Sequence, residues 1–168
     1  MRLGDRPIPD RLKALGKRMG SVQAASMAFI GDGAACLWIA AKELFPDAVL
    51  IQDFWHVCER LRDVIKELYG EGECATNLYE KWKTALWESR LDDIRADLEA
   101  EKKRRRGKKR DRIEQEMNYL EKGRERMDYV RFRAEGWPIG SGAVEGTCKH
   151  LIKERYNVTG ARWKRENI

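Results

Sequence analysis

The sequence predicts a mostly helical α/β chain. It combines a partial parallel sheet (strand–helix–strand), an all-helical insertion and a final helix that returns to the sheet. Three observations predict this. Two short, continuous apolar runs, "MAFIGDG" (27–33) and "AVLIQD" (48–53), each close around an aspartate, with a helical pattern between them. Runs of this kind are the mark of buried parallel strands. From Phe54 to about Gly136, apolar residues instead recur at three- and four-residue spacing with no strand pattern. After that, "GWPIGSGAVEGTCKHLIKER" is a glycine-rich turn opening a helix.

The elements follow in order. "PIPDRLKALGKRMGS" reads as a helix entered through Pro9 and Asp10, with Leu12, Leu15 and Met19 at helical spacing and Gly20 as its stop. The first strand emerges at Asp32, "AACLWIAAKELF" forms the crossover helix, and Pro46-Asp47 turns into the second strand, ending at Asp53. "FWHVCERLRDVIKELYG" carries Val57, Leu61, Val64, Ile65 and Leu68 on one stripe, with Gly70 as a stop. "NLYEKWKTALWESRLDDIRADLEAEKK" places Leu78, Trp82, Leu86 and Ile94 on a similar stripe and predicts one long helix. A basic run, "KKRRRGKKRDR", precedes a third amphipathic stretch, 113–136. The expected division is 1–56 for the partial core, 57–135 for the helical insertion, and 136–168 for the return to the core.

At 168 residues the chain is long enough for a real core, and six tryptophans argue against wholesale disorder. The net charge of +6 favours an anionic partner, of which nucleic acid is the commonest. No apolar run approaches the ~20 residues of a membrane span, and "MRLGDRPIPD" does not resemble a signal peptide, so a cytoplasmic location is expected. Cysteines 36, 58, 74 and 148 form no CxxC pair and read as reduced thiols. His56-x-Cys58 and Cys148-x-His150 fall in helical patterns, where residues two apart diverge, which argues against zinc.

Four features are candidates for function. Asp32 lies between Gly31 and Gly33 just after a strand, where open α/β sheets bind ligands. It would serve equally well as an N-cap. Asp53 stands in the same relation to the second strand, with His56 three residues on, close enough to bond it and be held in one tautomer. Capping is the commoner use of such an aspartate. Glu145 sits behind Gly140, Ser141 and Gly142, one residue beyond the slot a capping box needs after Ser141. Dipole and pairing gains of about 0.2–1 kcal/mol do not account for the glycine turn. In the basic run, Lys102, Lys103, Arg104, Arg105, Arg106, Lys108, Lys109 and Arg110 read either as a solvated connection or as a loop gripping phosphates without reading bases.

"GDGAACLWIAAKELFPDAVLIQDFWHVCERL" and "GWPIGSGAVEGTCKHLIKERYNVTGARW" together resemble the DDE transposases of bacterial insertion sequences, in the Kra-type branch related to the Mutator superfamily. The resemblance implies an RNase H-like fold and a DNA transposition and recombination chemistry of strand cleavage and strand transfer, run by Mg²⁺ or Mn²⁺. It implies that Asp32 is the second catalytic acid and Glu145 the third, both metal ligands. Asp53-x-x-His56 matches the signature after the fifth strand and would support the site. The helices of 57–135 match the insertion domain. DNA is the implied partner, at the nucleoid, with homo-oligomerisation in the full-length enzyme.

The chain also departs from that pattern. The family's first aspartate lies on an opening strand, whereas the acids ahead of the first helix, Asp5 and Asp10, lie on no strand-like segment. The sequence therefore reads as an internal fragment lacking the first acid and the first three strands, inactive on its own. The alternatives are a relic that grips DNA non-specifically and a fragment with no function.

Overall fold

A computed structural model describes residues 7–18, 20, 21 and 23–142. From residue 143 onward the expected helix of 141–157, with Glu145, Cys148 and His150, lies outside the described residues, as does Met19. The described part is mostly helical with one small parallel sheet. Helix α1 (Ile8–Arg18) packs on α2 (Ala35–Leu44), which crosses between strands β1 (Ala28–Gly31) and β2 (Val49–Gln52). Helices α3 (Phe54–Tyr69), α4 (Glu73–Trp87), α5 (Leu91–Arg104) and α6 (Lys108–Gly123) follow. A 3-10 turn (Arg124–Arg126) then leads to α7 (Tyr129–Ala134).

The strands pair in parallel as their apolar runs predict, with Ala28 opposite Val49 and Gly31 opposite Gln52. Side chains alternate between the faces of a strand. Phe29 meets Trp38 of α2 edge-on at 5.9 Å, and Gly31 lets the same indole approach so closely that a Cβ there would lie 3.0 Å from it. Ala28, Ile30 and Val49 pack on the opposite side, against a core cluster that runs from Ile51 through α3 to α7. Buried side chains before and after residue 56 thus belong to a single cluster. Trp82, Phe54, Tyr129 and Phe132 are its largest fully buried members.

The helical region is more broken than its periodicity predicts. The single helix expected over 77–103 is two. Ser89 adopts a left-handed φ of 57°, and Arg90 donates its N–H back to Ala85 O at 2.7 Å, so α4 ends and α5 starts afresh. No glycine marks this break, and the apolar stripe continues across it. The stretch expected to start at Ile113 starts at Lys108, because lysine and arginine are good helix formers and Gly107 opens the turn with φ 57°. It also stops early, at Gly123. Asp128 caps the short α7 by accepting from the Arg131 N–H at 3.3 Å.

A fully buried carboxylate ties α6 to α3. Glu116 accepts from Arg60 Nη2 at 2.9 Å and Nε at 3.3 Å, and from Arg112 Nη1 at 2.8 Å. Arg60 Cζ also stands over the Tyr119 ring, 3.8 Å from its centre. Removing one member of a buried ionic set costs far more than the set contributes, because the partners are left unpaired. Glu116→Ala is expected to lower the unfolding free energy by about 3 kcal/mol in a urea titration. A loss under roughly 0.5 kcal/mol would instead mark the set as no stronger than a surface ion pair.

Candidate functional site

Because Gly31 stands opposite Gln52, the next residues, Asp32 and Asp53, leave neighbouring parallel strands at the same carboxyl edge. Neighbouring strands lie about 4.8 Å apart, so the two aspartates are neighbours by construction. They share a cleft of about 420 Å³ with Trp55, His56, Glu59 and Ser141.

The two carboxylates are used differently. Asp53 is buried and fully engaged. Its Oδ1 accepts from the backbone N–H groups of Trp55 at 2.9 Å and His56 at 3.1 Å, which caps α3. Its Oδ2 accepts from the Ser141 N–H at 2.6 Å and the Ser141 hydroxyl at 2.5 Å. Asp53 is therefore both the N-cap and the anchor of the glycine turn. Burial works to raise its pKa, but the bonds from Ser141, His56 and Trp55 outweigh it and hold the group below its ordinary value. Asp32 is exposed, and its carboxylate accepts one bond, from the Ala34 N–H at 3.1 Å. It is not the cap of α2: Ala34 holds that position and makes no side-chain cap bond. Among the described residues no basic side chain pairs with Asp32.

His56 bonds Asp53 through its backbone, and the ring is turned away. Nδ1 lies 3.8 Å from Glu59 Oε2, one helical turn along. The ring-to-Asp53 bond expected from the sequence is absent. Cys58 is buried in the core while His56 is half-exposed, so the two point apart, as the argument against zinc requires. Burial pushes the Cys58 thiol up to about 11.

The loop carrying Asp32 is held from beneath. Gly33 adopts φ +101°, and a Cβ on it would lie 2.9 Å from Gln52 Nε2 and 3.2 Å from the Tyr119 hydroxyl. At the other end of the same amide, a Cβ on Gly123 would lie 2.9 Å from Gln52 Oε1. The Gln52 side chain thus fits between the Asp32 loop and the end of α6. Its backbone carbonyl accepts from the buried Tyr129 hydroxyl at 2.9 Å. Burial pushes the Tyr119 hydroxyl up to about 12.

Divalent cations such as Mg²⁺ and Mn²⁺ prefer carboxylate oxygens. Asp32 offers such a donor, whereas the four bonds on Asp53 leave it a structural carboxylate. Glu145, the other expected ligand, lies outside the described residues. Among those described, no group of three His, Cys, Asp or Glu side chains could hold a metal ion.

The basic run is not one loop but two helix ends joined by residues 105–107. Half of its named cations are engaged internally. Arg104 and Arg105 pair with Glu101, and Lys102 pairs with Glu114 at 3.5 Å. Lys109 donates to Leu68 O at 3.3 Å. Lys103, Arg106, Lys108 and Arg110 form no ion pair among the described residues. No described helix is long and apolar enough to cross a membrane.

Sequence reasoning singled out Asp32, Asp53 and His56 but passed over Ser141, Gln52 and Trp55. The "GSG" turn was a signal for Ser141, and a glutamine ending an otherwise apolar strand was one for Gln52.

The lowered pKa of Asp53 has a direct consequence. A group that is more acidic folded than unfolded contributes stability above its unfolded value, and loses it as pH falls through the folded one. The contribution is therefore complete above about pH 4 and fades on acidification below the ordinary value of 3.8. Asp53→Asn is expected to lower stability at pH 7 and to flatten this acid limb in denaturant titrations. An unchanged acid limb would show that Asp53 does not carry it.

Compared with family models, curated proteins and solved structures, the chain matches none, so the reading of the site rests on its residues and their geometry.

Proposed function

We propose that this chain is a fragment of the catalytic domain of a DDE-type transposase. On this reading its sheet is part of an RNase H-like core. Asp32 and Glu145 hold Mg²⁺ or Mn²⁺, and Asp53 positions them from behind. The observation that carries the proposal is the Asp53–Ser141 contact. It ties the glycine turn to the sheet edge where Asp32 emerges, and Ser141 lies four residues before Glu145 in the chain. A strand-end carboxylate and a helix carboxylate started from the same edge suit a shared hard cation. A cation so held supplies Lewis-acid stabilisation to the oxygens of a phosphodiester.

Iron substitution tests this without catalysis. With Fe²⁺ in place of Mg²⁺, ascorbate and peroxide should cut the polypeptide beside residues 32 and 145, and Asp32→Asn should abolish both cuts. Absence of local cuts in the unaltered chain would overturn the metal assignment.

A second reading, a non-specific DNA-binding module, is favoured by the four cations around the α5–α6 turn that form no ion pair among the described residues. Backbone binding by such groups releases counterions and weakens steeply with salt. Reversing Lys103, Arg106, Lys108 and Arg110 to glutamate is expected to weaken duplex binding by about tenfold or more at moderate salt. It should also flatten the plot of log affinity against log salt by about two or more. Fluorescence anisotropy at several salt concentrations measures both, and an unchanged slope would remove these residues from the interface.

A further inference from the structure

The backbone N–H of Trp55 helps to bind Asp53, and its side chain, given no task so far, lines the same cleft as Asp32. It is the second residue of α3, after the fully buried Phe54, and 52% of its own surface is exposed. The ring is packed on two sides. Phe54 meets it edge-on at 5.1 Å, and Gly140 comes so close that a Cβ there would lie 2.8 Å from Cδ1 and 3.2 Å from Nε1. The indole is clamped along one edge while much of its surface stays open to solvent. The other exposed tryptophan among the described residues is different. Trp87 already carries the Arg133 guanidinium on its ring, 3.9 Å from the centroid. Among the described residues no cation covers Trp55.

An indole held along one edge and, among the described residues, uncovered by any cation suits one chemistry above others beside a carboxylate cleft: a planar aromatic ring laid against it. We propose that Trp55 is a stacking site for an unpaired nucleobase at the mouth of the Asp32 cleft. The inference rests on the nucleic-acid reading above and adds to it a preference for single-stranded over duplex DNA. Stacking needs only a π-face, so any of the four bases would serve, and a base paired within a duplex would not reach the ring.

The test compares a fluorescent single-stranded oligonucleotide with its blunt duplex on the full 168-residue chain. Trp55→Ala should weaken single-strand binding by about 5- to 100-fold and leave duplex binding within about twofold. Trp55→Phe should restore most of the loss. The salt slope should not change, because no charge is removed. Equal single-strand affinity in Trp55→Ala and the unaltered chain would overturn the proposal, as would equal losses on both DNA forms. Should Trp55→Ala fail to fold, photocrosslinking of the unaltered chain to 5-iodouracil single strands decides. A crosslink mapped to Trp55 supports stacking, and crosslinks only elsewhere overturn it. If the unaltered chain binds neither DNA form, the nucleic-acid reading falls as well. Salt-sensitive binding that ignores Trp55 removes only the stacking site.

Discussion

One carboxylate organises the carboxyl edge of this sheet. Asp53 accepts four hydrogen bonds, two from the start of α3 and two from Ser141. Two elements far apart in the chain therefore share one anchor, 88 residues from aspartate to serine. Helix α3 is the hub on which α4 and α6 pack, and the buried ion set at Glu116 fixes one of those contacts. The direction in which α3 leaves the strand is set at its cap. That same cap fixes where the glycine turn arrives, and with it the far wall of the cleft.

Gln52, one residue earlier, does for the helical region what Asp53 does for the turn. Its side chain lies against Gly33 and Gly123, and its backbone carbonyl takes the Tyr129 hydroxyl. The exposed Asp32 is thus carried on a loop whose floor is built partly from α6. The helical region and the sheet edge are not independent modules joined by a linker, since they share buried side chains at this point.

Much of this was legible in the sequence. The parallel strands were readable because continuous apolar runs have few other uses, and each ended on the aspartate that marks the sheet edge. Helix α3 was readable from its stripe and from Gly70. Helix α4 was not separable from α5, because the break depends on a left-handed serine, a conformation that residue rarely takes and no pattern announces. The start of α6 was hidden in the basic run, where charge density looks like a loop although lysine and arginine favour helix. At the site, pattern reasoning identified the titratable residues but not the neutral ones. Asp53 could be read as a cap or as a supporting residue, and the structure shows the cap together with two bonds from Ser141. The partnership with Ser141 is a long-range contact, invisible to any local window. Glu145 stays an expectation carried by motif.

The Gln52 amide also sets a constraint on how this protein can vary. It fills the space between two glycines, one on the loop after β1 and one closing α6, and neither position has room for a Cβ while the amide is there. At 33 the φ of +101° strains any side chain whatever residue 52 is, and at 123 a Cβ would also lie 2.5 Å from Met127 Cε. A larger residue at 52 would push the loop and the helix apart. Positions 33, 52, 123 and 127 therefore constrain one another, and among relatives both glycines should be kept wherever residues 52 and 127 keep their size.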